Sequence, residues 1–77
     1  EVDAENQVHL TAWKDLRIAQ AGYPELTVEN VTAGAWLEVY TQNEPHARLN
    51  GNPLPFCAVR NNIYRARIPE NGTIVFE

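Results

Sequence analysis

The sequence predicts an all-β domain, a small antiparallel sandwich or partly open barrel of about five to seven short strands. Apolar and polar residues alternate along several runs, which is the pattern of strands that bury one face. Turn residues, mostly glycine, proline and asparagine, separate these runs at intervals of about ten residues, so each strand must be short.

The segment from Val8 to Ala19 fits two interpretations. With a period of two residues it forms a strand, a turn at Lys14–Asp15 and the start of a second strand. With a helical period, Thr11 caps a short helix over residues 12–20. The helix would leave Ile18 outside its apolar stripe, so we favour the two strands. One short helix packed on an antiparallel sheet is the alternative fold.

The stretch Leu26–Tyr40 is the most regular part of the chain and predicts an antiparallel hairpin. Two extended runs flank a tight connection at Thr32–Gly34, where the glycine can adopt the positive φ of a short turn. The first run buries Leu26 and Val28. In the second run Leu37 and Val39 share one face, and Trp36, Glu38 and Tyr40 share the other.

Residues 42–55 carry three of the five prolines, and we predict a long irregular loop there, held to the body by Leu49 and Leu54. Loops of this length are often functional, and one hypothesis is a small inhibitor or effector that presents this loop to a protein target. The remaining strands are expected near residues 56–59, 64–68 and 73–76.

The chain of 77 residues makes one domain, with a flexible acidic arm at residues 1–7 and a single β domain over residues 8–77. A domain of this size buries only about 60% of the surface of its unfolded chain, which leaves little room for a deep pocket. The sequence starts at Glu1 and contains no methionine, so we expect a processed chain or a domain of a longer protein.

Composition argues against catalytic and cofactor chemistry. The chain has no serine, and His9, His46 and Cys57 do not show the spacing of metal ligands. The single cysteine cannot form an internal disulfide, and its apolar neighbours predict a packed thiol. We therefore expect no enzyme activity, no metal and no cofactor.

Charge narrows the classes of partner. The chain has ten acidic and six basic residues and a formal net charge of −4, which argues against nucleic-acid binding because that requires neutralisation of phosphates. No apolar run approaches the ~20 residues of a membrane span, so we expect no membrane insertion.

One candidate binding face follows from strand alternation. Trp36 and Tyr40 lie two positions to either side of Glu38, and Arg65 and Arg67 project together from a later strand. If these strands share a sheet, the face could stack on a sugar ring or anchor a protein, since Trp, Tyr and Arg dominate binding hot spots. The competing arrangement turns Trp36 and Tyr40 into the core. The sequence favours that arrangement because few other large side chains are available to fill a core.

The run Leu26–Tyr40 resembles the opening strands of immunoglobulin-like modules of bacterial surface and phage structural proteins. Those modules often contain a strand, an Asn/Gly-Val-x-Ala-Gly turn and a strand that ends in Val-Tyr. The stretch Tyr64–Thr73 is similar to their closing strand and turn. The resemblance covers about a third of the chain, and the proline-rich segment and Trp36 depart from it. It implies a spacer, adhesion or assembly role without catalytic residues.

These observations favour a non-enzymatic β-sandwich module of a larger extracellular, cell-surface or virion protein that acts in assembly or adhesion. Its partner would be another protein, a neighbouring domain of the same chain or a second copy in a homo-oligomer. A carbohydrate-binding module that uses exposed aromatics is the alternative, with a glycan as its ligand.

Overall fold

The structure is a computed structural model that describes residues 8–77, and the predicted arm at residues 1–7 lies outside this range. The described residues form nine strands and no helix, so the all-β prediction is confirmed and the alternative helix over residues 12–20 is wrong. Nor does this part of the chain hold a helix that could cross a membrane. The strands are β1 (His9–Lys14), β2 (Arg17–Gly22), β3 (Glu25–Glu29), β4 (Trp36–Tyr40), β5 (Ala47–Leu49), β6 (Asn52–Leu54), β7 (Cys57–Arg60), β8 (Ile63–Arg67) and β9 (Gly72–Phe76).

The strands form two antiparallel sheets, as in a small β-sandwich. One sheet has four strands in the order β1-β4-β8-β7, and the other has five in the order β2-β3-β9-β5-β6. Inward side chains of every strand except β7 form a single apolar cluster, as strand alternation requires. Its buried members are Leu26, Val28, Ala35, Leu37, Val39, Ala47, Leu49, Leu54, Phe56, Ala66, Ile68, Ile74 and Phe76.

The predicted hairpin between β3 and β4 is wrong, because the two strands lie in different sheets. Strand β3 pairs with β2 and β9, whereas β4 pairs with β1 and β8. The connection from Asn30 to Ala35 passes from one sheet to the other and has positive φ angles of 55° at Asn30 and 87° at Gly34. Because the chain crosses between the sheets, the apolar faces of β3 and β4 meet across the core. The alternation of apolar and polar residues is the same in a crossing and in a hairpin, so the sequence pattern could not distinguish them.

The segment 42–55 is not the irregular loop that its prolines suggested. It contains β5 and β6, which pair with each other through a turn at Asn50–Gly51. Both turn residues have positive φ (52° and 85°), as the tight turns of two-residue hairpins require. Leu49 and Leu54 are buried, which confirms their predicted anchoring role. These two extra strands are one reason why the sandwich has nine strands rather than five to seven.

The Asn50 side chain ties the β5–β6 turn to the connection before β9. Its Nδ2 donates to Glu70 Oε2 at 3.1 Å and to the Asn71 carbonyl oxygen at 2.9 Å, and its Oδ1 accepts from the Thr73 amide at 3.1 Å. Gly72 lies directly beneath this network with a φ of 151°, and a Cβ at Gly72 would overlap the Asn50 amide group. The glycine is therefore required both by its backbone conformation and by the space that Asn50 fills.

Replacement of Gly72 by alanine is expected to lower the free energy of unfolding by about 2 kcal/mol, since it adds backbone strain and displaces Asn50. Urea denaturation measures this loss. Gly34→Ala is the matched control, because Gly34 also has a positive φ but has open space around its Cβ position. The cost of Gly72→Ala should exceed that of Gly34→Ala, and the excess should shrink in an Asn50→Ala background. Equal costs at the two glycines would contradict the steric role of Asn50.

Candidate binding face

Trp36, Glu38 and Tyr40 lie on the outer face of the four-stranded sheet. Leu37 and Val39 between them are fully buried and face the second sheet. The inward arrangement of Trp36 and Tyr40 that the sequence favoured is therefore wrong. The core obtains its large side chains elsewhere: the buried rings of Phe56 and Phe76 come from distant segments and lie with centroids 6.0 Å apart.

The pairing of β4 with β8 places all five predicted binding residues on this face. Trp36 is opposite Arg67 and Glu38 is opposite Arg65, while Tyr40 is opposite Ile63. Directly opposed residues of an antiparallel pair project to the same side. We call this surface the aromatic–arginine face. It comprises the outward residues of the four strands, His9, Ala12, Lys14, Trp36, Glu38, Tyr40, Cys57, Val59, Arg60, Ile63, Arg65 and Arg67.

An ion pair stacked on an aromatic ring lies at the centre of the face. Arg65 donates from both Nε and Nη2 to Glu38 Oε2, at 2.9 and 2.5 Å. The Arg65 guanidinium carbon also lies 4.3 Å from the centroid of the Trp36 ring. A planar guanidinium can pair with a carboxylate along its edge and with an aromatic ring through its face. The two contacts together hold Arg65 in one orientation.

Burial is unequal across this ion pair. The Glu38 side chain is 7% exposed, whereas the Arg65 side chain is 45% exposed. A buried carboxylate is costly to leave unpaired, so Arg65 stabilises Glu38 while still presenting part of its own surface to solvent. Sequence reasoning placed Glu38 on this face but did not foresee its burial, which depends on the side chains that flank it.

Basic residues are concentrated on this sheet. Its four strands carry Lys14, Arg60, Arg65 and Arg67 but only one acidic residue, Glu38, a formal charge of +3 in a chain whose net charge is −4. Within residues 8–77, Lys14, Arg60 and Arg67 make no ion pair.

The five-stranded sheet differs in its charge. Its strands carry two basic and two acidic residues. Arg17 pairs with Glu29 at 2.6 Å, and Arg48 pairs with Glu77 at 2.9 Å just beyond β9. Only the four-stranded sheet therefore presents an excess of positive charge.

A shallow groove of about 420 Å³ runs along the face between Trp36 and the edge strand β7. Cys57 and Val59 line one side, and Arg65 and Arg67 flank it. Cys57 is exposed, so the predicted packed thiol is wrong. The reason is that β7 lies at the edge of the sheet, where all four of its residues are exposed. Local sequence does not encode an edge position, and sequence reasoning therefore missed both Cys57 and Val59.

The histidines lie apart from the groove. His9 lies at the far edge of the face, with its ring centroid 6.5 Å from that of Tyr40, and His46 is exposed in the connection before β5. Residues 8–77 contain no group of three or more His, Cys, Asp or Glu side chains that could hold a metal ion. The arrangement offers cations and aromatic surface, which suits recognition of a partner.

In comparisons with known proteins, the chain matches no protein-family model, no curated protein and no solved structure. The geometry of the aromatic–arginine face therefore carries the functional inference.

Arg65→Ala is expected to destabilise the domain by about 2 kcal/mol, since it leaves a buried carboxylate unpaired. Adding Glu38→Gln to this variant should restore part of the loss because it removes the unpaired charge. A double-mutant cycle by urea denaturation measures the coupling, which we expect on the order of 1–3 kcal/mol.

The exposed pair Arg17–Glu29 is the matched control for this cycle. Both of its side chains are about half exposed, at 62% and 48%, so its coupling should be below about 1 kcal/mol. A coupling at Arg65–Glu38 no larger than at Arg17–Glu29 would contradict the role of burial.

Trp36→Ala should leave the domain folded, with a loss of about 1 kcal/mol, because the ring lies on the outer face and contributes its contact with Arg65. Leu37→Ala, one residue along the same strand, should cost about 3 kcal/mol because Leu37 is fully buried. Urea denaturation of both variants provides the comparison. If Trp36→Ala unfolds the domain or costs as much as Leu37→Ala, the ring belongs to the core.

Proposed function

We propose that the protein is a non-enzymatic β-sandwich module that acts in assembly or adhesion by binding a protein partner through the aromatic–arginine face. The observation that carries the proposal is the Trp36–Arg65–Glu38 arrangement beside the exposed Arg67. Tryptophan, tyrosine and arginine are the residue types that dominate binding hot spots.

Preorganisation supports this role. Immobilising a flexible side chain at an interface costs about 0.5–1.5 kcal/mol, and Arg65 is already held by Glu38 and Trp36 before any partner arrives. Because the rigid sheet backbone also sets the spacing of the side chains, a partner meets a surface with little conformational freedom left to lose. Such a surface is suited to a specific contact.

The same contacts favour a protein over a neutral sugar. A pyranose that stacked on Trp36 would compete with the Arg65 guanidinium, which lies over the ring. The only carboxylate on the four strands, Glu38, is buried and occupied by Arg65, so it offers little to sugar hydroxyl groups. Carbohydrate binding through Tyr40, which is 39% exposed, remains the second candidate.

The inhibitor hypothesis has less support. It depended on an irregular loop over residues 42–55, and β5 and β6 build most of that segment into the five-stranded sheet. The likeness of Leu26–Tyr40 to immunoglobulin-like modules accords with an assembly or adhesion role. We accordingly propose a module of a larger extracellular, cell-surface or virion protein.

Photo-crosslinking from the face tests this function. In a Cys57→Ala, His9→Cys variant, a thiol-linked photoreactive group sits on the aromatic–arginine face at the strand farthest from the groove. Illumination in an extract of the cells or particles that contain the protein should give discrete crosslinked species, either with a second copy or with another protein. Unlabelled wild-type protein should compete these species away, and unlabelled Arg67→Ala should not.

A Cys57→Ala, Gln20→Cys variant is the control, since Gln20 is exposed on a strand of the five-stranded sheet. Its crosslinks should be fewer and insensitive to competition. Crosslinks that are equal from both sheets, or that Arg67→Ala competes as well as wild type does, would reject the aromatic–arginine face as the binding surface. A binding signal with purified neutral glycans that depends on Tyr40 would favour the carbohydrate alternative.

A further inference from the structure

We infer that the aromatic–arginine face recognises an acidic protein segment that also inserts an apolar side chain into the groove beside Trp36. This inference rests on the proposed function and specifies the chemistry of its partner. Two independent features of the face support it: an excess of positive charge and an apolar groove between the cations.

The charge argument begins with the uneven distribution of cations. Four of the six basic residues of an acidic chain lie on the four-stranded sheet. The other two, Arg17 and Arg48, each pair with a carboxylate on or beside the other sheet. Three of the four basic side chains on the four-stranded sheet have no carboxylate partner within residues 8–77: Lys14, Arg60 and Arg67. Complementary potential requires a partner with negative charge.

Arg67 is the key cation of this group. It lies opposite Trp36 in the β4–β8 ladder and flanks the groove. Its guanidinium can form a bidentate bond with a carboxylate, as arginine commonly does. Arg65 is half exposed and already oriented, so it can present its remaining N–H groups to a second carboxylate. The two arginines therefore suit adjacent acidic groups of one ligand.

The groove distinguishes a polypeptide from an anionic polysaccharide. Trp36, Val59 and Cys57 give it an apolar lining between the charged side chains, and Val59 is 41% exposed. A peptide can combine carboxylates with an apolar side chain that covers this surface, whereas a sulfated or uronic polysaccharide has no apolar side chain to insert. Burial of such a side chain contributes affinity that charge alone does not provide.

A second copy of the chain fits the face less well. The strands of its five-stranded sheet carry only two acidic residues, and one of them, Glu29, is already paired with Arg17. Stacking of the two unlike faces would also be a head-to-tail contact, which continues into an open chain of copies unless its rotation closes a ring. An acidic segment of another protein can supply the negative charge without breaking an existing ion pair and without stacking the copies head to tail.

Binding of a short synthetic peptide, with several glutamates around a central leucine, to the 77-residue chain tests the inference. A Trp13→Phe variant leaves Trp36 as the only tryptophan and reports binding by fluorescence. Amide NMR spectra should show shifts confined to β4, β7 and β8. Arg67→Ala should weaken binding about tenfold without unfolding the domain, because Arg67 makes no ion pair within residues 8–77 and its removal leaves no carboxylate there unpaired.

Three matched probes isolate the chemistry. A peptide with glutamine in place of each glutamate, and one with glycine in place of the leucine, should each bind about tenfold more weakly than the parent peptide. Arg17→Ala, on the other sheet, should bind the parent peptide as wild type does. Affinity of the parent peptide should fall as salt is added, since the contacts are between exposed charges.

Several results would overturn the inference. If the glutamine peptide binds as tightly as the parent peptide, the carboxylates do not contribute to binding. If the glycine peptide binds as tightly as the parent peptide, the groove does not bind the leucine side chain. Arg67-dependent binding of heparin without binding of the peptide would assign the face to an anionic polysaccharide. Sedimentation that showed self-association blocked by Arg67→Ala would assign it to a second copy.

The crosslinking experiment separates failure of this inference from failure of the proposed function. If crosslinks from His9→Cys persist and the acidic peptide neither binds nor competes, the face binds a protein of another chemistry and only the inference is overturned. If neither experiment shows binding that depends on Arg67, the proposed function fails as well.

Discussion

Burial of one face of β4 is the constraint on which both the core and the aromatic–arginine face depend. Strand β4 lies inside the four-stranded sheet, between β1 and β8, and its Leu37 and Val39 side chains are fully removed from solvent. Each contributes about 1.5–3 kcal/mol by the hydrophobic effect, which is a large share of the stability of so small a domain. Because successive side chains alternate, this burial forces Trp36, Glu38 and Tyr40 outward. The aromatic–arginine face is therefore a direct consequence of the core.

Outward projection then creates an electrostatic requirement. Glu38 points away from the core but is covered by its neighbours, and a covered carboxylate needs a cation within reach. The register of β8 supplies Arg65 directly opposite, and the Trp36 ring stacks on its guanidinium. A pair of apolar residues at these positions would avoid the desolvation cost of both charges. The structure instead keeps a charged pair whose basic member is half exposed.

The local sequence pattern correctly predicts which side chains of a strand share a face. The alternation in Leu26–Tyr40 correctly assigned Leu37 and Val39 to one face and Trp36, Glu38 and Tyr40 to the other, because a period of two residues does not depend on which strand lies alongside. It could not decide whether β3 pairs with β4, since that choice depends on how the distant strands β9 and β8 complete the two sheets.

The wrong predictions for individual residues also arise because their positions depend on distant parts of the chain. Side-chain volume alone favours Trp36 for the core, but Phe56 and Phe76 fill that volume from segments far along the chain. The prolines of residues 42–55 obscured β5 and β6, although the Asn50–Gly51 pair is a strong hairpin signal. Cys57 looked buried because its neighbours are apolar, and only the sheet order reveals that β7 is an edge.

The chain path gives the face a further property. Its residues come from four different strands, for example Lys14, Trp36, Cys57 and Arg67. Along the chain, β2 and β3 of the other sheet lie between β1 and β4, and β5 and β6 of that sheet lie between β4 and β7. No short stretch of the chain contains the site, so an unfolded chain has little of the surface that a partner would recognise. A ligand that binds only the folded state raises its stability, by about 2.7 kcal/mol at a concentration one hundred times Kd. For a domain whose core is limited by its length, the proposed recognition and the stability of the fold would consequently be linked, because a partner bound at the aromatic–arginine face would also stabilise the sandwich that forms it.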